Sequence, residues 1–220
     1  MTVKIIALAA NPEKFSTKAI LFRTDLKQFF LNKGTYATPD FKEIVEISVV
    51  GKHDAFIHAG MMWARITDGA DGLTRVETTT NKVNYQSWEF DSVTQQYVQF
   101  QWVPPRNWDH GTMKATFWWT NAAGLTTETV DFAIAGIAIS NDDALDVAMG
   151  TAIVVTDTWI AQGDVHISPQ SSAITIAGSP VDSDLVQFEI YRKVSTDNLT
   201  GDARLLACVL EYSIDAGVSA

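Results

Sequence analysis

The sequence contains one cysteine in 220 residues, Cys208. A single cysteine excludes a disulfide framework within the chain and a zinc site built on several thiolates. Cys208 lies in the largely apolar run RLLACVL, residues 204–210. We expect it to be a small buried side chain.

Long apolar runs are also missing. A membrane-spanning helix needs about eighteen consecutive apolar residues, and no stretch of the sequence approaches that length. The apolar patch at residues 5–10 is too short for the core of a secretory signal. We therefore expect a soluble protein that is made in a cytoplasm and does not insert into membranes.

Positive charge is scarce. The chain has 16 Lys and Arg against 26 Asp and Glu, a net charge of −10. Residues 1–80 hold ten basic and nine acidic residues, whereas residues 81–220 hold six and seventeen. An acidic surface repels phosphate backbones, so nucleic acid is not an expected partner. The change of charge near residue 80 also indicates a domain boundary.

Apolar and aromatic residues are abundant, at 46% hydrophobic residues with seven Trp. From about residue 84 they alternate with polar residues, as in Val98, Phe100 and Trp102 or in Val186, Phe188 and Ile190. About eight such strands, separated by turn signals, predict an all-β fold. We predict an antiparallel two-sheet jelly-roll sandwich over residues 81–220. Residues 1–80 are less regular, and we predict an N-terminal attachment arm or small subdomain there.

Motifs that carry catalysis are absent from the sequence. It has no Gly-rich phosphate loop, no nucleophile elbow and no metalloprotease helix. The four histidines are scattered, and the acids at 142, 143 and 146 lack the spacing of a calcium loop. We therefore predict no catalytic residues, no metal site, no cofactor and no enzymatic activity. Hydrolysis of glycans by two converging carboxylates is the lesser alternative.

Three tryptophans are candidates for contact with a ligand or another subunit: Trp108, Trp118 and Trp159. Because side chains alternate along a strand, Trp118 must face away from its neighbours Phe117 and Trp119. Trp108 and Trp159 lie in predicted loops. Exposed tryptophans are typical of contact surfaces, and the apolar face of a sugar also stacks on such rings.

The ordered succession of several short motifs resembles a known family. Residues 104–111, PPRNWDHG, are followed by KATFWW at 114–119, ITIAG at 174–178, VQFEIYR at 186–192 and LTGDARLL at 199–206. In this order, over residues 84–214, they resemble the jelly-roll surface proteins of tailed-bacteriophage virions, of the tail-fibre or head-decoration type. We also expect Arg192, at the end of the segment 186–192, to pair with Asp202 in the segment 199–206 and so to fix the edge of the last hairpin.

The resemblance implies a non-enzymatic structural component of a phage particle. It would dock by its N-terminal part, display the sandwich, and act as a homotrimer with other virion proteins of the capsid or tail as partners. The alternative is a carbohydrate-binding module of a tail fibre that recognises a host surface glycan. The resemblance carries over no catalytic residue.

Overall fold

The structure, a computed structural model, describes residues 4–6, 20–23, 28–32, 41–43 and 51–214. The chain divides into two compact units, Met1–Val49 and Val50–Ala220. The described part of the first unit is one antiparallel sheet with its strands in sequence order. Its strands are β1 (Lys4–Ile6), β2 (Ile20–Arg23), β3 (Gln28–Asn32) and β4 (Phe41–Glu43).

The second unit contains two six-stranded sheets. The first sheet has the order β13-β10-β16-β8-β7, with β5 also paired to β16. The second has the order β12-β11-β15-β9-β6, with β14 paired to β11. The strands are β5 (Gly51–His58), β6 (Trp63–Ala64), β7 (Asp71–Glu77), β8 (Asn84–Phe90), β9 (Tyr97–Trp102), β10 (Lys114–Thr120), β11 (Thr129–Ile139), β12 (Ile153–Thr158), β13 (His166–Ile167), β14 (Ile176–Ala177), β15 (Leu185–Arg192) and β16 (Ala203–Ile214).

All pairings in the two sheets are antiparallel except the short parallel contact between β11 and β14. Successive strands repeatedly change sheet: β8 and β10 belong to the first sheet, and β9 and β11 to the second. This crossing of the chain between two layers confirms the predicted all-β jelly-roll sandwich. The part of the chain described has no α-helix; a single 3-10 turn, Ala59–Met61, follows β5.

The core lies between the two sheets and follows from the alternation in the sequence. Val98 and Phe100 of β9 are buried, while Tyr97 and Gln99, which alternate with them, are partly exposed. Phe132 of the second sheet packs against Phe90 and Phe117 of the first, with ring centroids 6.0 and 5.4 Å apart. These aromatic contacts between the two inner faces form the core of the sandwich. The outward faces do not take part in this core.

The boundary of the sandwich differs from the predicted one at residue 80. Strand β5 pairs with β16 over its whole length, from Gly51 opposite Ile214 to His58 opposite Ala207. Strands β6 and β7 also belong to the two sheets. Residues 51–80 are therefore part of the sandwich, and the unit that contains it begins at Val50.

The predicted pair of Arg192 with Asp202 is also absent. Arg192 is fully buried and binds Asp197 instead, with 2.6 Å between Nε and Oδ2. Asp202 accepts a hydrogen bond from the backbone N–H of Ser92 at 3.2 Å. The tight loop after β15 brings Asp197 back over the strand end, closer to the guanidinium than Asp202 is.

Candidate functional site

Polar and aromatic side chains cover part of the outward face of the second sheet. On β9, Tyr97 and Gln99 alternate with the buried Val98 and Phe100. On β15, Glu189 and Tyr191 occupy the same outward side between buried residues. With Trp63 on β6 and Arg65 just after it, these side chains form a surface that we call the platform, defined as Trp63, Arg65, Tyr97, Gln99, Glu189 and Tyr191.

The strand register brings these residues together. Trp63 lies opposite Gln99, and Gln99 opposite Glu189, so that one row crosses three strands. Tyr97 lies opposite Tyr191 in the next row, with ring centroids 5.1 Å apart. Directly opposite side chains in a sheet have Cβ atoms about 5 Å apart, so each row is continuous. Trp63 is 42% exposed and presents its indole to solvent.

A hydrogen-bonded network fixes the polar groups of the platform. The Gln99 side-chain amide donates to Glu189 Oε2 at 2.9 Å, and Arg65 Nη1 lies 3.3 Å from the same oxygen. The guanidinium carbon of Arg65 also sits 4.0 Å from the centre of the Tyr97 ring, the geometry of a cation–π contact. Each of these four side chains, Arg65, Tyr97, Gln99 and Glu189, is thus held by at least one neighbour, which reduces the entropy lost when a ligand binds.

Tyr191 keeps its proton at neutral pH. Partial burial raises the pKa of Tyr191, and the adjacent Tyr97 and Glu189 raise it further. Its hydroxyl therefore remains available as a hydrogen-bond donor as well as an acceptor.

The loop at residues 65–70 is anchored on the backbone of one platform residue. The N–H groups of Arg65 and Ala70 both donate to the carbonyl oxygen of Tyr97, at 3.2 and 3.1 Å. The N–H of Tyr97 in turn donates to the carbonyl of Asp68 at 2.9 Å. A Cβ added at Gly69 would lie 2.1 Å from the carbonyl oxygen of Arg65, so this tight loop requires glycine at that position.

This loop forms one wall of an open cleft. The cleft has a volume of about 400 Å³ and is lined by Trp63, Ala64, Arg65, Ile66, Thr67 and Gln99. Ile66 at the loop tip is fully exposed. An exposed indole, an exposed aliphatic side chain and fixed polar groups therefore share one concave surface, which is the usual composition of a ligand site.

Metal and paired-acid chemistry are not supplied by the platform. Glu189 is its one carboxylate, whereas glycoside cleavage by the common mechanism needs two. Across the described residues, no three His, Cys, Asp or Glu side chains lie close enough to hold a metal ion.

A search of the described residues for a candidate membrane-spanning helix finds none.

The three tryptophans singled out from the sequence occupy separate places. Trp108 is 3% exposed and packs edge-on against Trp102, with ring centroids 6.2 Å apart. That burial leaves little of the ring accessible to a ligand or another subunit. Trp159 is half-buried and donates its indole N–H to Asn121. Trp118 lies on the outward face of the first sheet, as the alternation of β10 predicts.

Sequence reasoning missed all six platform residues. The pattern that could have found them is the recurrence of Tyr and Gln at the outward positions of β9 and β15, at Tyr97, Gln99, Gln187 and Tyr191. The position of Trp63 beside these residues depends on strand pairing and has no local signal in the sequence.

No protein-family model and no curated protein match the chain. Among solved structures, it is similar to the CBM36-1 domain of a multidomain xylanase from the hindgut metagenome of Trinervitermes trinervoides, with a TM-score of 0.39, 8% identity, and coverage of 76% of this chain and 100% of that one. It is also similar to the family 11 carbohydrate-binding module of Clostridium thermocellum in complex with a mixed-linked tetrasaccharide, with a TM-score of 0.32, 11% identity, and coverage of 79% and 92%.

A third similar structure is the isomalto-dextranase of Arthrobacter globiformis T6 complexed with panose, with a TM-score of 0.41 and 15% identity. The match covers 95% of this chain but 32% of the enzyme. With TM-scores below 0.5, these similarities assign neither a family nor a ligand to this chain. None of the three is described as a phage protein, and the resemblance to virion proteins stays a prediction.

Proposed function

We propose that the protein is a non-enzymatic carbohydrate-binding module that binds a glycan chain on the platform. The observation that supports this most strongly is the row Trp63, Gln99, Glu189, which places an exposed indole beside fixed donors and acceptors on three adjacent strands. A sugar ring has the complementary chemistry, with an apolar C–H face and hydroxyls around its edge.

The polar groups of the platform fit hydroxyl ligands. A hydroxyl both donates and accepts, and so do the Gln99 amide and the tyrosine hydroxyls. The network among Arg65, Gln99 and Glu189 holds these groups in place before a ligand arrives. Aromatic faces attract the weakly positive C–H groups of a sugar because their π electrons carry partial negative charge. On this one surface, hydrogen bonds would orient the sugar, and stacking of its C–H face on an aromatic ring would supply affinity.

Affinity gel electrophoresis against a panel of soluble polysaccharides tests this function. We expect at least one glycan to retard the native protein, and Trp63→Ala to weaken that retardation by about tenfold, since an exposed tryptophan at a binding centre contributes a large share of affinity. Tyr97→Ala should act in the same direction because it removes the support of Arg65.

Trp118→Ala is the matched control, since it removes an indole from the outward face of the other sheet. It should leave glycan retardation unchanged. If no glycan in a broad panel retards the protein, or if Trp63→Ala and Trp118→Ala behave alike, the proposal is wrong.

The second candidate function is that of a virion subunit that assembles with copies of itself. The outward face of the first sheet favours it, because Phe56 and Ile167 are 59% and 58% exposed there and Trp118 lies opposite Ile167. Large exposed apolar groups on one face are typical of protein contacts. This face and the platform are on opposite sides of the sandwich, so both functions can coexist in a phage attachment protein.

Sedimentation equilibrium tests this second candidate. We expect an oligomer, a trimer if the resemblance to phage proteins is correct, and we expect Trp118→Arg to shift it toward monomer. The matched control is Trp63→Arg, which should leave the mass unchanged. A wild-type protein that sediments as a monomer at high concentration would contradict assembly through this face.

A further inference from the structure

We propose that the platform selects uncharged glycans and rejects anionic ones, and that the carboxylate of Glu189 enforces this choice. The inference rests on the proposed function and specifies the chemical class of its ligand. It follows from the way in which the two charged groups of the platform, Arg65 and Glu189, are already committed to each other.

The positive charge of the platform, on Arg65, is paired with the carboxylate of Glu189. Arg65 Nη1 lies 3.3 and 3.5 Å from the two oxygens of Glu189, and its guanidinium stacks on Tyr97. The Glu189 side chain is 13% exposed and that of Arg65 is 32% exposed. A ligand carboxylate or sulfate would therefore have to displace a partly buried carboxylate from the guanidinium, or approach it against the repulsion of that carboxylate.

The rest of the platform offers nothing that prefers an anion. Trp63, Tyr97, Gln99 and Tyr191 are uncharged, and their polar atoms suit hydroxyl groups. The next outward residue of β15, Gln187, is also uncharged, and its side-chain amide nitrogen lies 3.4 Å from the side-chain oxygen of Gln99. The formal charge of the whole chain, −10, adds a general repulsion of polyanions.

Glu189 is therefore a specificity-determining residue as well as an acceptor. With Glu189 replaced by glutamine, the side chain would keep its size but lose its charge. Arg65 would then remain stacked on Tyr97 with an unsatisfied positive charge on the binding surface. Such a guanidinium is a good partner for a carboxylate or sulfate.

Matched pairs of soluble polymers test the inference: hydroxyethylcellulose against carboxymethylcellulose, and dextran against dextran sulfate. Each pair shares a backbone and differs in charge. Kd values are measured for the full chain by affinity electrophoresis and titration calorimetry. For the wild type we expect the neutral member of a bound pair to bind at least about tenfold more tightly than the anionic member.

Glu189→Gln should change this ratio by about tenfold in favour of the anionic member, as expected for one gained charge-assisted hydrogen bond. The gain should shrink as salt is raised, because it is electrostatic. Arg65→Gln, which removes the cation and keeps the carboxylate, should preserve the neutral preference.

Glu89→Gln is the matched control. It removes the same charge from a comparable ion pair, Glu89 with Arg204 at 2.7 Å, on the first sheet. It should leave the ratio unchanged, which separates the platform from the effect of net charge. Circular dichroism of each variant confirms that the fold is kept.

The results distinguish this inference from the function on which it rests. If the wild type binds neither member of any pair nor any other glycan, the carbohydrate-binding function is wrong, and the inference is overturned with it. If the wild type binds glycans but binds the anionic members equally well, the inference alone is wrong. It is also overturned if Glu189→Gln and Glu89→Gln change the ratio to the same extent.

Discussion

Arg192 is among the largest fully buried side chains of the sandwich, although it carries a charge. Its guanidinium binds Asp197 through two nitrogens and donates from Nη1 to the carbonyl oxygen of Gly201 at 2.8 Å. These bonds tie the end of β15 to the loop that leads into β16. A buried charge is tolerated only when its donors are satisfied in this way, so the pair depends on each partner being present.

We expect Arg192→Met to lower the free energy of unfolding by about 3–5 kcal/mol, because Asp197 would stay buried without its partner. Urea denaturation followed by tryptophan fluorescence measures the loss. Arg204→Met is the control: its ion pair with Glu89 is partly exposed, and we expect a loss of about 0–1 kcal/mol. Equal losses in the two variants would contradict the structural role of the Arg192 bonds.

Cys208 predicts a pH dependence of stability. It is fully buried in the core, and burial raises the pKa of its thiol far above the ordinary value. In the unfolded chain the thiol ionises above pH of about 8.5, while in the folded chain it stays protonated. The group therefore contributes stability below that pH, and the contribution is lost as pH rises.

The expected loss above that pH is about 1.4 kcal/mol per pH unit. Urea denaturation at pH 8 and pH 10 should show a steeper decline for the wild type than for Cys208→Ala. A decline of the same slope in both proteins would show that the thiol is accessible or that other groups dominate.

At the scale of single elements, the loop at residues 65–70 determines the geometry of the platform. Its hydrogen bonds to the backbone of Tyr97 place Arg65 over the tyrosine ring. The side chain of Arg65 then reaches Glu189 on the neighbouring strand. The close approach of Gly69 to the carbonyl of Arg65 makes this arrangement sensitive to one added methyl group.

We expect Gly69→Ala to weaken glycan binding by about tenfold while the sandwich stays folded. The added methyl group forces the loop to move, and Arg65 then loses its cation–π contact with the Tyr97 ring. Affinity electrophoresis with the retarding glycan measures this. Gly72→Ala, two residues beyond the loop, is the control, since a Cβ there meets nothing within 4 Å. Unchanged retardation of Gly69→Ala would contradict the role of the loop.

The strands could be predicted from the sequence better than their partners could. The alternation in β9 and β15 predicts both the strands and their inward faces. A period of two does not say which strands are neighbours. The assignment of residues 51–80 to an arm was wrong for this reason. That β5 belongs to the sandwich is evident only from its pairing with β16.

The platform was beyond sequence reasoning for the same physical cause. Arg65 and Glu189 are 124 residues apart in the chain, and Gln99 and Glu189 are 90 apart. Their contact results from the order β15-β9-β6, which no local pattern specifies. The sequence instead indicated tryptophans in loops as contact residues. One of them, Trp108, is part of the core.

At the scale of the whole sandwich, the two outward faces differ in chemistry. The second sheet presents the platform, with aromatic rings and hydrogen-bonding groups in register. The first presents Phe56, Trp118 and Ile167, which are apolar. We infer a division of roles in which one face binds glycan and the other contacts protein.

The most direct test of this division observes the tryptophan indoles during glycan binding. The chain has seven tryptophans, and each indole N–H gives its own signal in a ¹H–¹⁵N NMR spectrum. On titration with the retarding glycan, we expect the signal of Trp63 to shift strongly, while the signals of Trp118 and of the buried Trp108 and Trp119 stay in place. A shift confined to Trp118 or Trp159, with Trp63 unmoved, would contradict the account.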